Sequence, residues 1–415
     1  MRPELTSEQA KAVLAQYYGH LLRGPLQQPQ PQPQQQAKET SMTSASSQEI
    51  GEEAVKQVKE LKSLPSYDDQ NFYVRLGYLR AGEEQEDEEY VLKVSHSKEE
   101  EGLLSLQAAI LRRLEERGVS CPSLILTDEG NELTTIASSS SFLSSSSLEE
   151  TSSSSPECRQ KLGGEDETFM VRMLRFVPGK MLRSVQHTPP LLRSVGSSLA
   201  TVDKALEGLT HASMKRDDLV WDLRNGALLR SRLHALHTAH PIRLELVKAT
   251  LDEFEEHIAP TLHRFSSGIV HNDANSLNVV VSDDGSAVKA IIDYGDACHT
   301  FHVCNLAIAM AYCMLFKEDE ETKQQSCGEK AMEAGAFVLE GYNSVRELQE
   351  DEVRVLPTLI KLRLAISVTN SALSRMQHPN DDYVAIDERG AWHLLEVLSR
   401  RTATSLADDL WQFIR

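Results

Sequence analysis

The stretch IVHNDANSLNVVV, followed closely by AIIDYGD, constrains this chain more than any other part of it. An apolar strand end, Gly268 to Val270, delivers the polar loop that carries His271, Asp273 and Asn278. Asn278 opens a β run, Val279 to Ser282. A turn at Asp283-Asp284-Gly285 then returns the chain as a second strand, Val288 to Ile292, with Asp293 at its end. Strand, loop, hairpin and strand end bring two carboxylates and one amide together, and few arrangements of polar groups need that geometry.

Phosphoryl transfer is one that does, because it asks the protein mainly for positioning and charge neutralisation. Asp273 is the candidate base: a carboxylate there can hold an acceptor hydroxyl in line and take its proton late. Asn278 and Asp293 are the candidate magnesium ligands, since Mg2+ prefers hard oxygens and completes its shell with water and phosphate. His271 reads as a hydrogen-bonder that shapes the loop. An HxD alone is common and DYG alone is an ordinary turn; the information lies in the combined spacing.

Upstream, alternation over Asn71 to Leu79 and over Glu89 to Val94 predicts two strands, joined through the acidic run GEEQEDEE as a solvated hairpin tip. Lys93, in the second strand, is the candidate contact to nucleotide phosphates. Ser66 to Asn71 stands where a phosphate-covering loop belongs. It has no glycine, so backbone N–H groups and the side chains of Ser66, Tyr67 and Asn71 would contact the nucleotide, with Asp68 and Asp69 unexpected beside phosphates. Glu52 to Lys59 reads as helical, as does Gly102 to Arg117, ended by Gly118. Phe169 to Val177 reads as a buried strand stopped by Pro178-Gly179. Beyond it helices dominate: Leu191 to Leu206, Arg243 to His257, Val303 to Phe316, Ala331 to Tyr342, Leu356 to Met376 and Arg389 to Ala403.

The fold class expected is α+β, bilobal, with a small mixed sheet lobe and a larger helical lobe. Domain boundaries are expected at 1–26 (an N-terminal helix, with Thr6 and Gln9 as a capping box), 27–50 (a Gln/Pro/Ser linker), 51–176 (a nucleotide-binding lobe with a Ser-rich insertion at 138–155) and 177–415 (a catalytic and substrate-binding lobe). The two biased segments lack the apolar side chains a core needs. A formal net charge of -19 repels nucleic acid and anionic membranes. The early acidic residues and absent apolar h-region argue against a signal peptide, and six scattered cysteines suit free thiols in a reducing compartment. A cytoplasmic protein whose partners are a nucleotide and a small molecule, with neither nucleic acid nor membrane, is the expectation.

With these residues in hand, the chain resembles the aminoglycoside phosphotransferase and choline kinase superfamily, whose fold is protein-kinase-like. The marks are LPSYDDQNFYV, YVLKVS, VRMLRFVPG, Trp221-Asp222-Leu223, HNDANSLNVVV and DYGD, together covering most of Leu61 to Phe316. PSYDDQNF narrows the likeness to the hydroxylysine kinases. That resemblance implies Mg2+-dependent transfer from GTP, or ATP, to the hydroxyl of 5-hydroxy-L-lysine. It makes Asp273 the base, Asn278 and Asp293 the metal ligands, Lys93 the phosphate contact, and Arg175, Phe176 and Val177 the hinge beside the nucleotide base. Two positions depart from the pattern. Ser105 stands where a helix glutamate would pair with the lysine, with Glu101 one turn earlier as a substitute, and Asn305 stands where an acidic residue is expected.

A cationic acceptor suits carboxylates and aromatics, making Trp221, Asp222, Asp296 and the Asp381-Asp382-Tyr383 loop substrate candidates. Arg363 is a candidate for bidentate capture of a substrate carboxylate. Choline, ethanolamine or homoserine remain alternative acceptors, and a catalytically inactive nucleotide binder a further alternative. A protein kinase fits less well. No Gly-rich loop is present, and too few residues follow DYGD to build a peptide-docking segment.

Overall fold

The computed structural model describes residues 4–22, 56–66, 69–78, 87–96, 101–137, 168–239, 241–315, 327–377 and 388–415. The Gln/Pro tract, the Ser-rich run, Tyr67, Asp68 and the 381–383 loop lie outside the described residues. The chain forms two compact units, 1–99 with 124–176, and 100–123 with 177–415. Segment 100–123, expected with the sheet lobe, belongs to the second unit.

The first unit opens with α1 (Ser7–Tyr17), whose N-cap Thr6 accepts from Gln9 N while Thr6 N donates to the Gln9 side chain. Its strands are β1 (Lys56–Leu64), β2 (Gln70–Tyr78), β3 (Glu88–His96), β4 (Leu124–Ile125), β5 (Thr134–Ala137) and β6 (Thr168–Arg175). They pair in the order β1-β2-β3-β6-β4, with β5 also on β6. Alternation divides the sheet faces. Phe72, Val74 and Leu76, Tyr90, Leu92 and Val94, and Val171 and Met173 form one core with Leu5, Ala10, Val13, Leu14 and Tyr18 around α1. The N-terminal helix is therefore part of the sheet's core and not a separate element.

Residues 56–59 are strand, against the helical expectation for Glu52 to Lys59. The cause is a register shift between Val58 and Glu60. A bulge resets the period-2 alternation, so Val58 and Leu61, three apart as on a helix, both pack on the core.

The second unit begins with α2 (Glu101–Glu116), closed by Gly118 at φ +68, a left-handed position that favours glycine. Next come β7 (Lys180–Met181), α3 (Pro189–Ala205), a 3-10 stretch (Leu223–Arg232), α4 (His234–Ala239) and α5 (Pro241–Glu253). Two small sheets follow. β8 (Ser267–Val270) pairs with β11 (Cys298–Phe301), while β9 (Val279–Val281) lies between β10 (Val288–Ile291) and β7. Helices α6 (His302–Cys313), α7 (Cys327–Asn343), α8 (Glu350–Gln377), α9 (Glu388–Leu398) and α10 (Ala403–Ile414) complete it. Nearly every side chain of α6 is buried, and α8 is buried over most of its length. The fold is α+β. Among the described residues Cys121, Cys298, Cys304 and Cys313 are free thiols, and no helix is long and apolar enough to cross a membrane.

Candidate active site

The loop between β8 and β9 is held by its own side chains. His271, fully buried, accepts from Asp273 N at Nδ1 (3.1 Å) and donates from Nε2 to Ile292 O (2.9 Å), so one imidazole joins the loop to the end of β10. Burial pushes its pKa down to about 4, which keeps the ring neutral for that pair of bonds. Tyr294 packs edge-on against it, with ring centroids 4.6 Å apart. The shaping role expected for His271 is what these contacts describe.

Asp273 is fixed at both carboxylate oxygens. Oδ1 accepts from Arg363 Nη2 at 2.7 Å; Oδ2 accepts from Asn275 Nδ2 and Asn278 Nδ2, each at 2.8 Å. Burial pushes this acid up to about 7; Arg363 opposes the rise, and Asp296 and Asp293 add to it. A carboxylate poised there can take a hydroxyl proton near neutral pH. Its orientation is set before any ligand arrives.

Asn278 also donates from Nδ2 to Asp273 O (2.9 Å), so these two side-chain bonds both use nitrogen and leave Oδ1 as the ligand atom for a cation. Asn278 O accepts from Ile292 N (2.8 Å), which anchors the start of β9 next to Asp293 in the chain. Asp293 has φ +64, in the left-handed region that Asp tolerates better than most residues. Gly295 N donates to its Oδ1 (3.3 Å). Among the described residues no three His, Cys, Asp or Glu side chains converge as a metal cage. An amide oxygen and one carboxylate fit magnesium nonetheless, because that ion takes one or two protein oxygens and keeps water and phosphate for the rest.

The substrate candidates separate. Arg363 on α8 is 2% exposed, and its guanidinium is occupied: Nη2 serves Asp273 and Tyr312 OH (3.2 Å), and Nη1 serves Trp221 O (3.1 Å). It stacks on the rings of Trp221 and Tyr312, at 4.6 and 5.2 Å. Bidentate capture of a substrate carboxylate, the expectation for Arg363, gives way to a role holding Asp273. Asp222 is likewise corrected. It is fully buried, accepts from Thr300 Oγ1 (2.7 Å), Arg224 N (2.9 Å) and Arg224 Nε (3.2 Å), and caps the 3-10 stretch. Both its oxygens are engaged within the protein. Trp221 and Asp296 keep partial exposure, and Asp296 acts electrostatically on both Asp273 and Arg363.

In the first unit Lys93 is central and buried, on the sheet face opposite the α1 core. Cross-strand pairing aligns it with Asn71 on β2 and Arg172 on β6, a polar row across three strands. Its ammonium lies 3.3 Å from Asp69 Oδ2, so the aspartate that looked out of place beside phosphates has a cation to face. Among the described residues Asn71 Oδ1, though buried, has no hydrogen-bond partner. Ser66 is half-buried after β1. Arg175 is exposed, its guanidinium 5.3 Å from the Tyr90 ring; Phe176 donates its N–H to Glu89 O and meets Tyr73 edge-on. Val177 is the first residue of the second unit after that strand. Ser105 Oγ lies 3.3 Å from His211 Nε2, and Glu101 is exposed in the first turn of α2.

Sequence reasoning missed Asp69 as a partner of Lys93, Arg172 in its row, Asn275 as a donor to Asp273, and Tyr312 beside Arg363. Arg172 was readable from alternation: it shares the face opposite Val171 and Met173. Asn275 was readable from the loop itself, two residues after Asp273. Tyr312 had no local signal.

The model of a family described as "Phosphotransferase enzyme family" matches residues 60–336, well over half of the chain. Hydroxylysine kinase of Mus musculus is 28% identical over 356 residues, covering 82% of this chain and 85% of that protein. Homoserine kinase of Allorhizobium ampelinum is 29% identical over 193 residues, 46% of this chain and 53% of that one. Among solved structures, an amicoumacin kinase in complex with AMP-PNP, Ca2+ and Ami aligns with a TM-score of 0.57 at 15% identity, covering 84% of this chain and 90% of that chain. That likeness shows a shared protein-kinase-like fold.

Proposed function

The chain belongs to the phosphotransferase enzyme family and is a small-molecule kinase, and on that premise we propose that it transfers the γ-phosphoryl group of GTP or ATP to the hydroxyl of 5-hydroxy-L-lysine. The observation that carries the reaction is the Asp273 carboxylate, fixed by Arg363, Asn275 and Asn278 and pushed up to about 7. The likeness to hydroxylysine kinases along 82% of the chain supports the acceptor.

Asp273 accepts the proton of the acceptor hydroxyl as its oxygen bonds to the γ-phosphorus and the bond to the leaving diphosphate breaks. Because both carboxylate oxygens are held, Asp273 also orients that hydroxyl. Asn278 Oδ1 and the Asp293 carboxylate are the groups that would hold magnesium, which supplies neutralisation of phosphate charge. Lys93, backed by Asp69 and paired across the sheet with Asn71, contacts the phosphates, with Ser66 and Asn71 as further nucleotide contacts from the same unit. Asp296 and Trp221 receive the acceptor's ammonium groups.

Purified protein with Mg2+ and either GTP or ATP, challenged with 5-hydroxylysine, choline, ethanolamine and homoserine, tests this through nucleoside diphosphate release. Turnover should require hydroxylysine and fall by about 10²–10⁴-fold in Asp273→Ala. Turnover with homoserine instead would select the second reading, which the partial match to a homoserine kinase favours. Full activity in Asp273→Ala would remove Asp273 as the base.

A further inference from the structure

Asn272, the residue before the proposed base, is fully buried and sits at φ +63. Its backbone N–H donates to Asn305 Oδ1 on α6 at 3.0 Å. Asn305 donates in turn from Nδ2 to Asp203 Oδ1 on α3 at 2.9 Å, and Asp203 Oδ2 accepts from Tyr342 OH on α7 at 2.7 Å. Asn305, Asp203 and Tyr342 are each 1% exposed or less.

The direction of this chain follows from its ends. A backbone N–H only donates, and Asp203, although burial raises its acid to about 7, only accepts once ionised, the form that its bonds from Tyr342 and Asn305 favour. Asn305 can satisfy both in one orientation alone, oxygen toward the loop and nitrogen toward α3. Turned over, its amide would set donor against donor at Asn272 and acceptor against acceptor at Asp203, and buried unmatched groups of that kind are costly. Asp203 therefore fixes which face of Asn305 the loop meets. An acidic residue at 305 would present an acceptor to Asn272 by itself; here that property is divided between an amide and a carboxylate on different helices.

We propose that Asp203 is a positioning residue for phosphoryl transfer, acting through Asn305 on the backbone of Asn272 to hold Asp273 in its working orientation. This rests on Asp273 being the base. Asp203 touches neither substrate nor nucleotide in this scheme. Its effect therefore belongs in kcat and in the order of the loop.

Exchanging the two residues tests the proposal. In Asp203→Asn a single acceptor oxygen is left for the Asn305 amide and the Tyr342 hydroxyl, and the new NH2 can face Asn305, so the direction of Asn305 is no longer enforced. In Asn305→Asp two carboxylates meet in a buried space, where they cannot both ionise. The double variant D203N/N305D re-forms all three bonds: Asp at 305 accepts from Asn272 N–H and from the new amide at 203, whose oxygen accepts from Tyr342. Each single variant should lose about 10- to 100-fold in kcat, the scale of a misplaced reacting group, with nucleotide KM within about threefold. The double variant should return to within about threefold of wild-type kcat. Hydrogen exchange over the peptide spanning 268–278 gives a readout without turnover. The Asn272 amide should exchange about tenfold faster in the single variants and at the wild-type rate in the double.

Single variants with wild-type kcat and exchange would overturn the proposal, as would a double variant no better than the singles. Should neither single variant fold, the double decides alone, by kcat and exchange against wild type. A wild-type protein inactive on every acceptor would defeat the proposed function instead, and the exchange comparison would still decide whether Asp203 orders the loop.

Discussion

Replacing Arg363 by Met keeps most of its bulk on α8 and removes the charge that faces Asp273. The pair is close, with Nη2 and Oδ1 2.7 Å apart; Arg363 is 2% and the Asp273 side chain 18% exposed. At an effective dielectric near 20, unit charges centred about 4 Å apart attract by about 4 kcal/mol. Removing one partner of a buried pair costs about 3–5 kcal/mol, because the other charge is left without compensation. The partial exposure of Asp273 places the expected loss for R363M at the low end, about 3 kcal/mol. D273N keeps an oxygen for Asn275 and Asn278 but strands the guanidinium, so it is destabilising too. With both changed no charge remains uncompensated, and the cycle should give a coupling energy of about 2–3 kcal/mol.

Urea unfolding followed by tryptophan fluorescence is the assay. The only tryptophans, Trp221, Trp392 and Trp411, all lie in the second unit, so the signal reports the unit that holds the pair. The sign of its pH dependence follows from Asp273. Burial raises its folded pKa to about 7, so the attraction is complete only above that value and fades as Asp273 protonates below it. The coupling should therefore be larger at pH 8 than at pH 6. A coupling under about 0.5 kcal/mol at pH 8 would refute the reasoning: Arg363 would then be held by Trp221 and Tyr312, with Asp273 incidental to it.

Two other predictions concern the pH profile and the helix packing. The acid limb of kcat/KM should follow Asp273: Asp296→Asn removes a charge that raises its pKa and should move the limb to lower pH, and R363M should move it to higher pH. Bound magnesium would lower the starting point in all three proteins without changing that order, and equal limbs would mean that another group titrates. Gly196→Ala and Gly341→Ala should each destabilise the second unit by about 3 kcal/mol or more, since an added Cβ would lie 1.9 Å from Val338 O and 2.0 Å from Arg193 O, both backbone atoms that cannot swing aside. A loss below about 1 kcal/mol at either site, read from the same fluorescence midpoint, would show that α3 and α7 separate easily.

Much of the proposed chemistry was legible in the sequence because it is local. Asp273, Asn278 and Asp293 lie within one strand–loop–hairpin whose β pattern and turn could be read directly, and Lys93 lies in an alternating strand. What failed has physical causes of two kinds. At β1 a bulge gave apolar residues a helix-like spacing, so that period alone misassigned Lys56 to Lys59. At Arg363 and Asp222 the expectation was contact with a substrate, and the partners inside the protein were invisible: Arg363 meets Asp273 across 90 positions, and Asp222 meets Thr300 across 78. The departure at 305 belongs with these. Read within α6, Asn305 is a missing acid; read in three dimensions, the carboxylate comes from Asp203, 102 positions away. The reacting groups proposed here are thus encoded in short motifs, and their orientation is encoded by helices that carry no motif. A substitution at Asp203 or Arg363 would pass in a sequence for a remote packing change, yet Arg363 lies one hydrogen bond from the Asp273 carboxylate and Asp203 two from the backbone of the adjoining Asn272, and that is where its effect should be sought.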